Sequence, residues 1–388
     1  MAGKTAKAAG GKTPLTVCYP FSGDALGGSH VSVLGMMELL DPRQFRTIVV
    51  PEFPDGKIAR HFHAFEQMID PGNPPSYVPG EAFTAAKFLR GALGTPARVR
   101  FLREHRVDIV HLNDGRSCAN WAVAARLAGC RVLWHHRGNP DSLGLRFAAP
   151  LLAHRVACVS RFALPRPGAW SSASRAEVIH SPFDTDITVD RAEARRALLQ
   201  DLGMPEDTFL VGYFGAFVPR KRPEIFVDTI AALDARLDRP VAGVMFGEAR
   251  TPEMSARLDA RIAECAAPTA LRRMGYRSPG AFWIAACDVL LVPAVEEPFG
   301  RTLIEAMLVG TPVVAARSGG NIEALADGAG VLVPVDDPAS MAEACARLAQ
   351  APDEAEALAL HACRQAKELY GADRHVESVI ALYRKLAA

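Results

Sequence analysis

The sequence predicts an α/β fold with two Rossmann-like, doubly wound parallel sheets that face a cleft. Short apolar segments alternate with helical patterns, as in βαβ units. The alternation begins again after a stretch with proline and acidic residues at 181–190, and 388 residues suffice for about two domains. We therefore predict a first domain over 14–187 and a second over 188–388. The last helix, about 375–387, is expected either to stay with the second domain or to pack back on the first.

The composition narrows the function classes. Hydrophobic residues make up 49% and charged residues 22% of the chain, and the formal net charge is +1. This gives no general field that would attract nucleic acid, so any anion site must be local. No apolar run reaches 18 residues, which argues against a membrane span. Residues 1–13 are basic and polar without the apolar segment of a secretory signal, and we expect a disordered tail.

Cysteine usage indicates the compartment. The eight cysteines form no CxxC pair, and most lie in apolar segments such as "VACVS" and "AACDVLLV". Such spacing favours buried, reduced thiols over metal ligands or disulfides. A cytoplasmic location is therefore expected.

The elements follow in order along the chain. In the first half, strands are predicted at 15–20, 45–51, 108–112 and 130–136 and within 154–160 and 176–183, with helices at 30–40, 95–107 and 118–129. In the second half, strands are predicted at 208–215, 241–247, 287–293, 311–316 and 329–334, with a helix at 222–237. Because ligands of such sheets bind at the carboxyl ends of strands, we expect the loops that follow the strands to form the ligand site.

Glycine and polar residues follow the strands of the first half. Gly28 sits just before a helix, where backbone amides could hold an anion or simply form a tight turn. Polar residues also end two further strands, in "HLNDGR" (111–116) and "HHRG" (135–138). Neighbouring strand residues point to opposite faces, so only one of His135 and His136 is expected to reach the cleft. We favour His136, which is nearest the turn.

Charged residues follow the strands of the second half. Arg220, Lys221 and Arg222 form a cationic cluster after Gly215. Three basic residues are often only solvated, but their place after a strand favours phosphate binding.

Two carboxylates flank the turn in "EEPFGRTLIEAMLVGTPVVA" (296–315). Glu297 is predicted on a loop after a buried strand, and Glu305 one turn into the helix that begins at Arg301 or Thr302. Carboxylates accept hydrogen bonds from vicinal hydroxyls, and the amides that open the helix can donate to phosphate. With the glycine pair at 319–320 before another helix, these features describe a pocket for a nucleotide-diphosphate sugar.

This segment resembles the donor site of retaining glycosyltransferases of the GT4 family, which have the GT-B fold. The hallmark of that family is two glutamates separated by seven residues, the EX7E motif, matched here by Glu297 and Glu305. "LGGSHVSVL", "DIVHLND", "VLWHHRG" and "VIHSPFDTD" are similar to further family segments, so the resemblance covers most of the chain.

The resemblance implies a role for each matching residue. Glu297 would contact the hydroxyls of the transferred sugar, and His136 or His135 would lie near the reacting carbon. The donor would be bound by Gly28, Lys221, Phe299, Gly300, Arg301, Glu305 and Gly320. Within that set, Glu305 would hold the ribose and Lys221 the diphosphate, while the nucleobase would lie near 272–277.

One position departs from the family pattern. The family commonly has an arginine directly after the glycine that ends the strand, but here Ala216 follows Gly215. Arg220 or Arg222 could replace the missing arginine. Otherwise donor binding would be weaker, and a catalytically degenerate sugar-nucleotide-binding protein is an alternative.

The resemblance also implies the reaction and its partners. A sugar would pass with retention from a UDP-sugar, or from a GDP- or ADP-sugar, to a hydroxyl acceptor in glycan, polysaccharide or glycolipid biosynthesis. No cofactor or metal is expected, and Asp184 and Asp186 are taken as a chance match to a metal motif. A sugar-nucleotide epimerase is a second alternative, whereas a dinucleotide oxidoreductase lacks its glycine spacing.

The acceptor is the least defined partner. The loop at 71–83 is a candidate for choosing it. Arg98, Arg100, Arg103 and Arg106 could contact a lipid-linked acceptor at the inner face of a membrane, but a solvated helix face is the favoured interpretation.

Overall fold

The computed structural model describes residues 13–72, 84, 92–267 and 270–388. The predicted tail, apart from Thr13, and most of the 71–83 loop lie outside these residues. The described chain forms two parallel six-stranded sheets with helices packed on them, as the sequence predicted.

The first sheet has the strand order β2-β1-β3-β4-β5-β6. Its strands are β1 (Leu15–Phe21), β2 (Phe45–Pro51), β3 (Ile109–Leu112), β4 (Arg131–His136), β5 (Arg155–Cys158) and β6 (Ala176–Val178). The order reverses between β1 and β3, which lie side by side. Such a reversal creates a crevice at the carboxyl ends of the two strands.

The second sheet has the order β12-β11-β10-β7-β8-β9. Its strands are β7 (Phe209–Phe214), β8 (Val241–Phe246), β9 (Leu271–Gly275), β10 (Val289–Val292), β11 (Val313–Ala316) and β12 (Val331–Val333). Here the reversal lies between β7 and β10. The loops after these two strands carry the cationic cluster and Glu297, so chain topology alone brings them together.

Helices cover the faces of both sheets. In the first half they are α1 (Gly28–Glu38), α2 (Lys57–His61), α3 (Thr95–Glu104), α4 (Gly115–Ala128) and α5 (Ala149–Leu152). In the second half they are α6 (Arg191–Leu202), α7 (Pro223–Asp234), α8 (Pro252–Glu264), α9 (Gly280–Ala285), α10 (Arg301–Leu308), α11 (Gly320–Ala324), α12 (Pro338–Gln350), α13 (Pro352–Tyr370) and α14 (Ala372–Ala387). A single π-helical turn, Gly144–Ala148, precedes α5.

Buried strands were the easiest elements to predict. The central strands β7 and β10 are almost wholly buried, and such strands form near-continuous apolar runs. Strand β9 was not predicted. It lies at the edge of its sheet, pairing only with β8, and its sequence LRRMG exposes Arg272 and Arg273. An edge strand with charged residues has no apolar run to detect.

The last helix, α14, packs against the first sheet. Val376, Val379 and Leu382 join the same core as Val17 of β1 and Val33 of α1. The chain therefore crosses between the two sheets twice, once after β6 and once at Tyr370–Ala372. The two crossings touch, because the Phe183 amide donates to the Tyr370 carbonyl at 3.0 Å.

The basic helix α3 has one buried arginine. The Arg98 side chain is fully buried and donates from Nε to Asp70 Oδ1 at 3.0 Å. Arg100, Arg103 and Arg106 are exposed. Arg98 thus stabilises the first domain and is not available to a membrane surface, in line with the favoured interpretation of the stretch.

All eight cysteines are free thiols, and six of them are buried. The burial of these six agrees with the prediction of buried thiols. None of the helices within the described ranges is long and apolar enough to cross a membrane.

Candidate active site

A cavity of about 710 Å³ lies between the two sheets, at the carboxyl ends of their strands. Both sheets contribute to its walls. Seven of the predicted site residues line it: Gly28, His136, Lys221, Glu297, Phe299, Gly300 and Arg301. Glu305 and Gly320 are not among the lining residues.

The loop between β10 and α10 forms one wall of the cavity. Gly300 has φ 77° and ψ 62°, a left-handed conformation that a residue with a Cβ adopts only with strain. The helix then begins at Arg301, as the sequence predicted. The amides of Phe299, Gly300 and Arg301 therefore lie at the start of a helix, where N–H groups have no partner within it.

Glu297 lies at the centre of a charged cluster. Its Oε2 accepts from Lys221 Nζ at 2.8 Å and from Arg220 Nη1. Its side chain is 12% exposed. Burial by itself would raise the pKa of Glu297, but the charges and hydrogen bonds of Lys221 and Arg220 lower it below the ordinary value. Glu297 is therefore ionised over the neutral range, and it holds both cations at the cavity wall.

The structure distinguishes between the two arginines that could replace the missing one. Arg220 lines the cavity and contacts Glu297. Arg222 instead donates from Nε to Asp336 Oδ1 at 2.7 Å, away from the cavity. Arg220 is therefore the arginine positioned to act beside Lys221.

Glu305 and Arg301 lie on the first turns of α10. Arg301 Nη2 is 3.6 Å from Glu305 Oε1. Burial raises the pKa of Glu305, and the nearby charge of Arg301 opposes this. Glu305 thus lies beside the cavity without lining it, and its predicted contact with the ribose stays a prediction.

Arg301 reaches across to the first domain. Its Nη1 donates to Ser32 Oγ at 3.0 Å, and its guanidinium carbon lies 4.2 Å from the centre of the Phe183 ring. A Cβ added to Gly28 would lie 2.5 Å from Arg301 Cδ. Gly28 is therefore needed for this close approach.

His135 and His136 occupy opposite faces of β4, as the alternation predicts. The His136 side chain lies on the Trp134 side, where Nε2 donates to the Asn139 carbonyl at 3.0 Å. Burial lowers the pKa of His136, although hydrogen bonds to Asn139 and Gly138 raise it in part. His136 is therefore a neutral imidazole in the cavity wall.

His135 also lines the cavity, so the prediction that only one of the two histidines reaches it is wrong, and its ring belongs to a buried hydrogen-bond network as well. Its Nδ1 lies 3.1 Å from His111 Nε2, and His111 Nδ1 lies 2.6 Å from the Tyr383 hydroxyl. That hydroxyl is 2.7 Å from the Tyr19 hydroxyl. Burial lowers the pKa of both histidines well below the ordinary value. The network joins helix α14 to the strands that carry the cavity wall.

Gly320 supports the loop that carries Glu297. Its amide donates to the Glu297 carbonyl at 2.7 Å, and an added Cβ would lie 2.7 Å from the Pro298 carbonyl oxygen. The amide is therefore already engaged within the protein. This contact gives Gly320 a positioning role and does not support the predicted contact with the donor.

Two further residues were missed by sequence reasoning. Asn321 Nδ2 donates to the carbonyls of Ala294 and Ala316 at 3.2 and 3.0 Å, which ties the ends of β10 and β11 together. Arg250 follows β8 and lines the cavity with Lys221. Asn321 directly follows the glycine pair at 319–320, but neither its side-chain contacts nor the place of Arg250 at the cavity can be read from a local pattern.

The segment at 272–277, predicted to lie near the nucleobase, carries arginines with acidic partners. Arg273 contacts Asp259, and Arg277 Nη1 lies 2.6 Å from Asp201 Oδ2. Tyr276 is 77% exposed. The nucleobase assignment stays a prediction.

Residues 194–364 match the family model of glycosyl transferases group 1. The match contains Lys221, Glu297 and Glu305. Through this segment, which carries the second sheet, the chain is similar to the group 1 glycosyltransferases. Its two facing sheets are the GT-B fold, which confirms the fold predicted from the sequence.

Curated proteins similar to this chain include D-inositol 3-phosphate glycosyltransferases. The enzyme from Nocardioides sp. is 31% identical over 229 residues, which cover 55% of this chain and 49% of the relative. That from Actinosynnema mirum is 36% identical over 225 residues, covering 55% and 52%. The chain thus matches about half the length of these relatives.

Solved structures extend the likeness of fold to nearly the whole chain. HepE from Anabaena, determined with UDP and glucose, covers 96% of this chain with a TM-score of 0.79 and 21% identity. Sucrose-phosphate synthase from Thermosynechococcus elongatus also covers 96%, with a TM-score of 0.74 and 20% identity.

Proposed function

We propose that this chain transfers a sugar from a nucleotide-diphosphate sugar to a hydroxyl acceptor with retention of configuration. The observation that carries the proposal is the cluster of Glu297, Lys221 and Arg220, held at the opening of helix α10. A departing nucleoside diphosphate gathers negative charge, and fixed cations and helix-opening amides stabilise such charge. The match of residues 194–364 to the group 1 glycosyl transferases supports the same reaction class.

The donor in this proposal is a UDP-sugar. HepE has been solved with UDP and with UDP-glucose. Lys221, Arg220 and Arg250 supply positive charge at the cavity wall of this chain. We propose that these side chains neutralise the diphosphate, so that transfer needs no metal ion or cofactor. The departing phosphate oxygen would take the acceptor proton.

Ligand-induced stabilisation tests the donor. The purified protein is melted with UDP, GDP or ADP in the presence of EDTA. A ligand at 100 times its dissociation constant adds about 2.7 kcal/mol to the free energy of unfolding. We expect stabilisation by UDP, and its loss in Lys221→Ala. If no diphosphate stabilises the protein, the degenerate binding-protein and epimerase alternatives fail together with the donor assignment.

Product analysis tests the reaction class. Incubation with UDP-sugars should release UDP and give a product with the anomeric configuration of the donor, measured by NMR. An isomerised sugar nucleotide without UDP release would instead identify an epimerase.

The acceptor in this proposal is a hydroxyl group of a glycan or glycolipid precursor. Of the four arginines considered for membrane contact, Arg100, Arg103 and Arg106 remain exposed. Peripheral contact with a membrane therefore remains part of the proposal. Co-sedimentation with anionic vesicles should decrease as salt is raised, and the absence of any salt-sensitive binding would remove it.

A further inference from the structure

Arg137 follows strand β4 and lines the first-domain wall of the cavity. Within the described ranges, all of its hydrogen bonds go to neutral groups. Nη1 donates to Ser181 Oγ at 3.3 Å, and Nη2 donates to Asn113 Oδ1 at 3.2 Å and to His135 Nδ1 at 3.3 Å. A guanidinium has five N–H donors, so two of them, including the buried Nε–H, have no acceptor in the part of the chain that the structure describes.

No carboxylate of the described residues therefore neutralises the charge of Arg137. The three bonds are longer than the roughly 2.8 Å typical of a guanidinium and a carboxylate. Burial lowers the pKa of Arg137 to about 9, and the nearby charge of Arg301 acts in the same direction. Burying a charge without an opposite partner is costly, so this arrangement disfavours the ligand-free state.

Arg98, a buried arginine packed against the same sheet, differs from Arg137 because it has a counter-ion. Its side chain is fully buried, and it donates to both carboxylate oxygens of Asp70. Arg98 has its counter-ion within the protein. Arg137 lines the cavity instead, and no carboxylate pairs with it within the described ranges.

Arg137 and the cations proposed to bind the donor diphosphate, Lys221 and Arg220, lie on different walls of the cavity. Lys221 and Arg220 project from the loop after β7, on the wall of the second sheet. Arg137, Asn113 and Ser181 lie on the opposite wall, adjoining His136. A second anionic group could therefore bind here while a nucleoside diphosphate occupies the other wall.

We propose that Arg137 anchors a subsite for an oxyanion, a phosphate or a carboxylate, carried by the acceptor. Its charge and the unused Nη1–H supply the charge-assisted hydrogen bond to that oxyanion. Asn113 and Ser181 hold the guanidinium in place as positioning residues. This inference rests on the proposed function, because it assigns a chemical class to the acceptor of the same site.

Calorimetric titration of the full chain, saturated with UDP, tests the proposal with inorganic phosphate as the probe. UDP occupies the donor wall, so phosphate reports on the second subsite. We expect wild type to bind phosphate and Arg137→Met to bind it about tenfold to a hundredfold more weakly, the loss expected for one hydrogen bond to a charged group. Acetate in a parallel titration distinguishes a carboxylate preference from a phosphate preference.

Arg166→Met is the matched control, because Arg166 belongs to the same domain, has a side chain 74% exposed, and pairs with Asp141 outside the cavity. It should bind phosphate and UDP as wild type does. If Arg137→Met does not fold, Arg137→Gln carries the test, since its amide can still contact Ser181 or Asn113 without the charge.

Three outcomes would overturn the inference. UDP-saturated wild type could bind neither phosphate nor acetate, a folded Arg137 variant could bind them as wild type does, or the variant could lose UDP instead. The last result would assign Arg137 to the donor. If wild type binds phosphate through Arg137 but never binds UDP, the anion site stands and the proposed donor fails.

Discussion

On the wall of the cavity built by the second sheet, Glu297 accepts from Lys221 and Arg220, so that opposite charges meet within the protein. On the wall built by the first sheet, the hydrogen bonds of Arg137 to described residues all go to neutral oxygen and nitrogen atoms. The wall built by the second sheet can therefore keep its geometry before any ligand arrives, whereas the wall built by the first sheet holds a charge that a ligand can neutralise. The difference teaches that preorganisation and ligand selection need not be built into the same group of residues.

The largest expected effect is on the wall built by the second sheet, where Glu297 pairs with Lys221 and Arg220. Glu297→Gln keeps the shape of the side chain but removes its charge, so Lys221 and Arg220 lose the acceptor that fixes them. We expect the transfer rate to fall about a hundredfold, the usual cost of losing one preorganised electrostatic contact. Release of UDP from a UDP-sugar measures this.

Glu343→Gln, an exposed position on helix α12, is the control for handling and charge. If Glu297→Gln transferred sugar at nearly the rate of the control, Glu297 and its two cations would have no role in the reaction.

The second expected effect is on the stability of the first domain. Tyr383→Phe leaves His111 and the Tyr19 hydroxyl without their buried partner. A buried polar group that loses its hydrogen bond costs about 1–3 kcal/mol, and we expect about 2 kcal/mol in the free energy of unfolding. Urea denaturation measures it.

Tyr276→Phe, whose hydroxyl belongs to a side chain on the surface, should leave stability unchanged. UDP affinity should not change in Tyr383→Phe. Equal stabilities of the two variants would mean that the network of tyrosines and histidines does not hold the wall.

The third expected effect separates the two arginines of the cationic cluster. Arg220→Met should weaken UDP binding about tenfold, as one charge-assisted hydrogen bond implies. Arg222→Met should bind as wild type, because Arg222 faces Asp336. Titration with UDP compares them. The reverse ranking would contradict the replacement of the missing arginine by Arg220.

The smallest expected effect is a pH dependence. Lys221 and Arg220 lower the pKa of Glu297, so the folded state binds a proton less readily than the unfolded chain. The resulting stabilisation is complete above about pH 4.3, the ordinary glutamate value, and is lost as the pH falls further. Thermal midpoints of wild type and Glu297→Gln should therefore converge in acid. A constant difference would contradict the assignment.

Much of the wall built by the second sheet could be predicted, because its residues are neighbours in sequence or lie at the start of one helix. Glu297, Gly300 and Arg301 form a single loop, and Lys221 follows a strand with an obvious apolar run. The spacing of these residues fixed their place at the strand ends.

The wall built by the first sheet could not be predicted in the same way. His111, His135 and Tyr383 meet across 24 and 272 residues of sequence, and no local pattern carries such a contact. The neutral surroundings of Arg137 are equally invisible, because a sequence does not show which partner an arginine lacks.

The return of α14 to the first sheet has a consequence for synthesis on the ribosome. Val379, Leu382 and Tyr383 complete the core that Val17 and Val33 begin. These residues emerge only after the whole second sheet has been made. Part of the apolar face of the first sheet therefore stays exposed until α14 has been synthesised. The core of the sheet that is translated first is thus completed last.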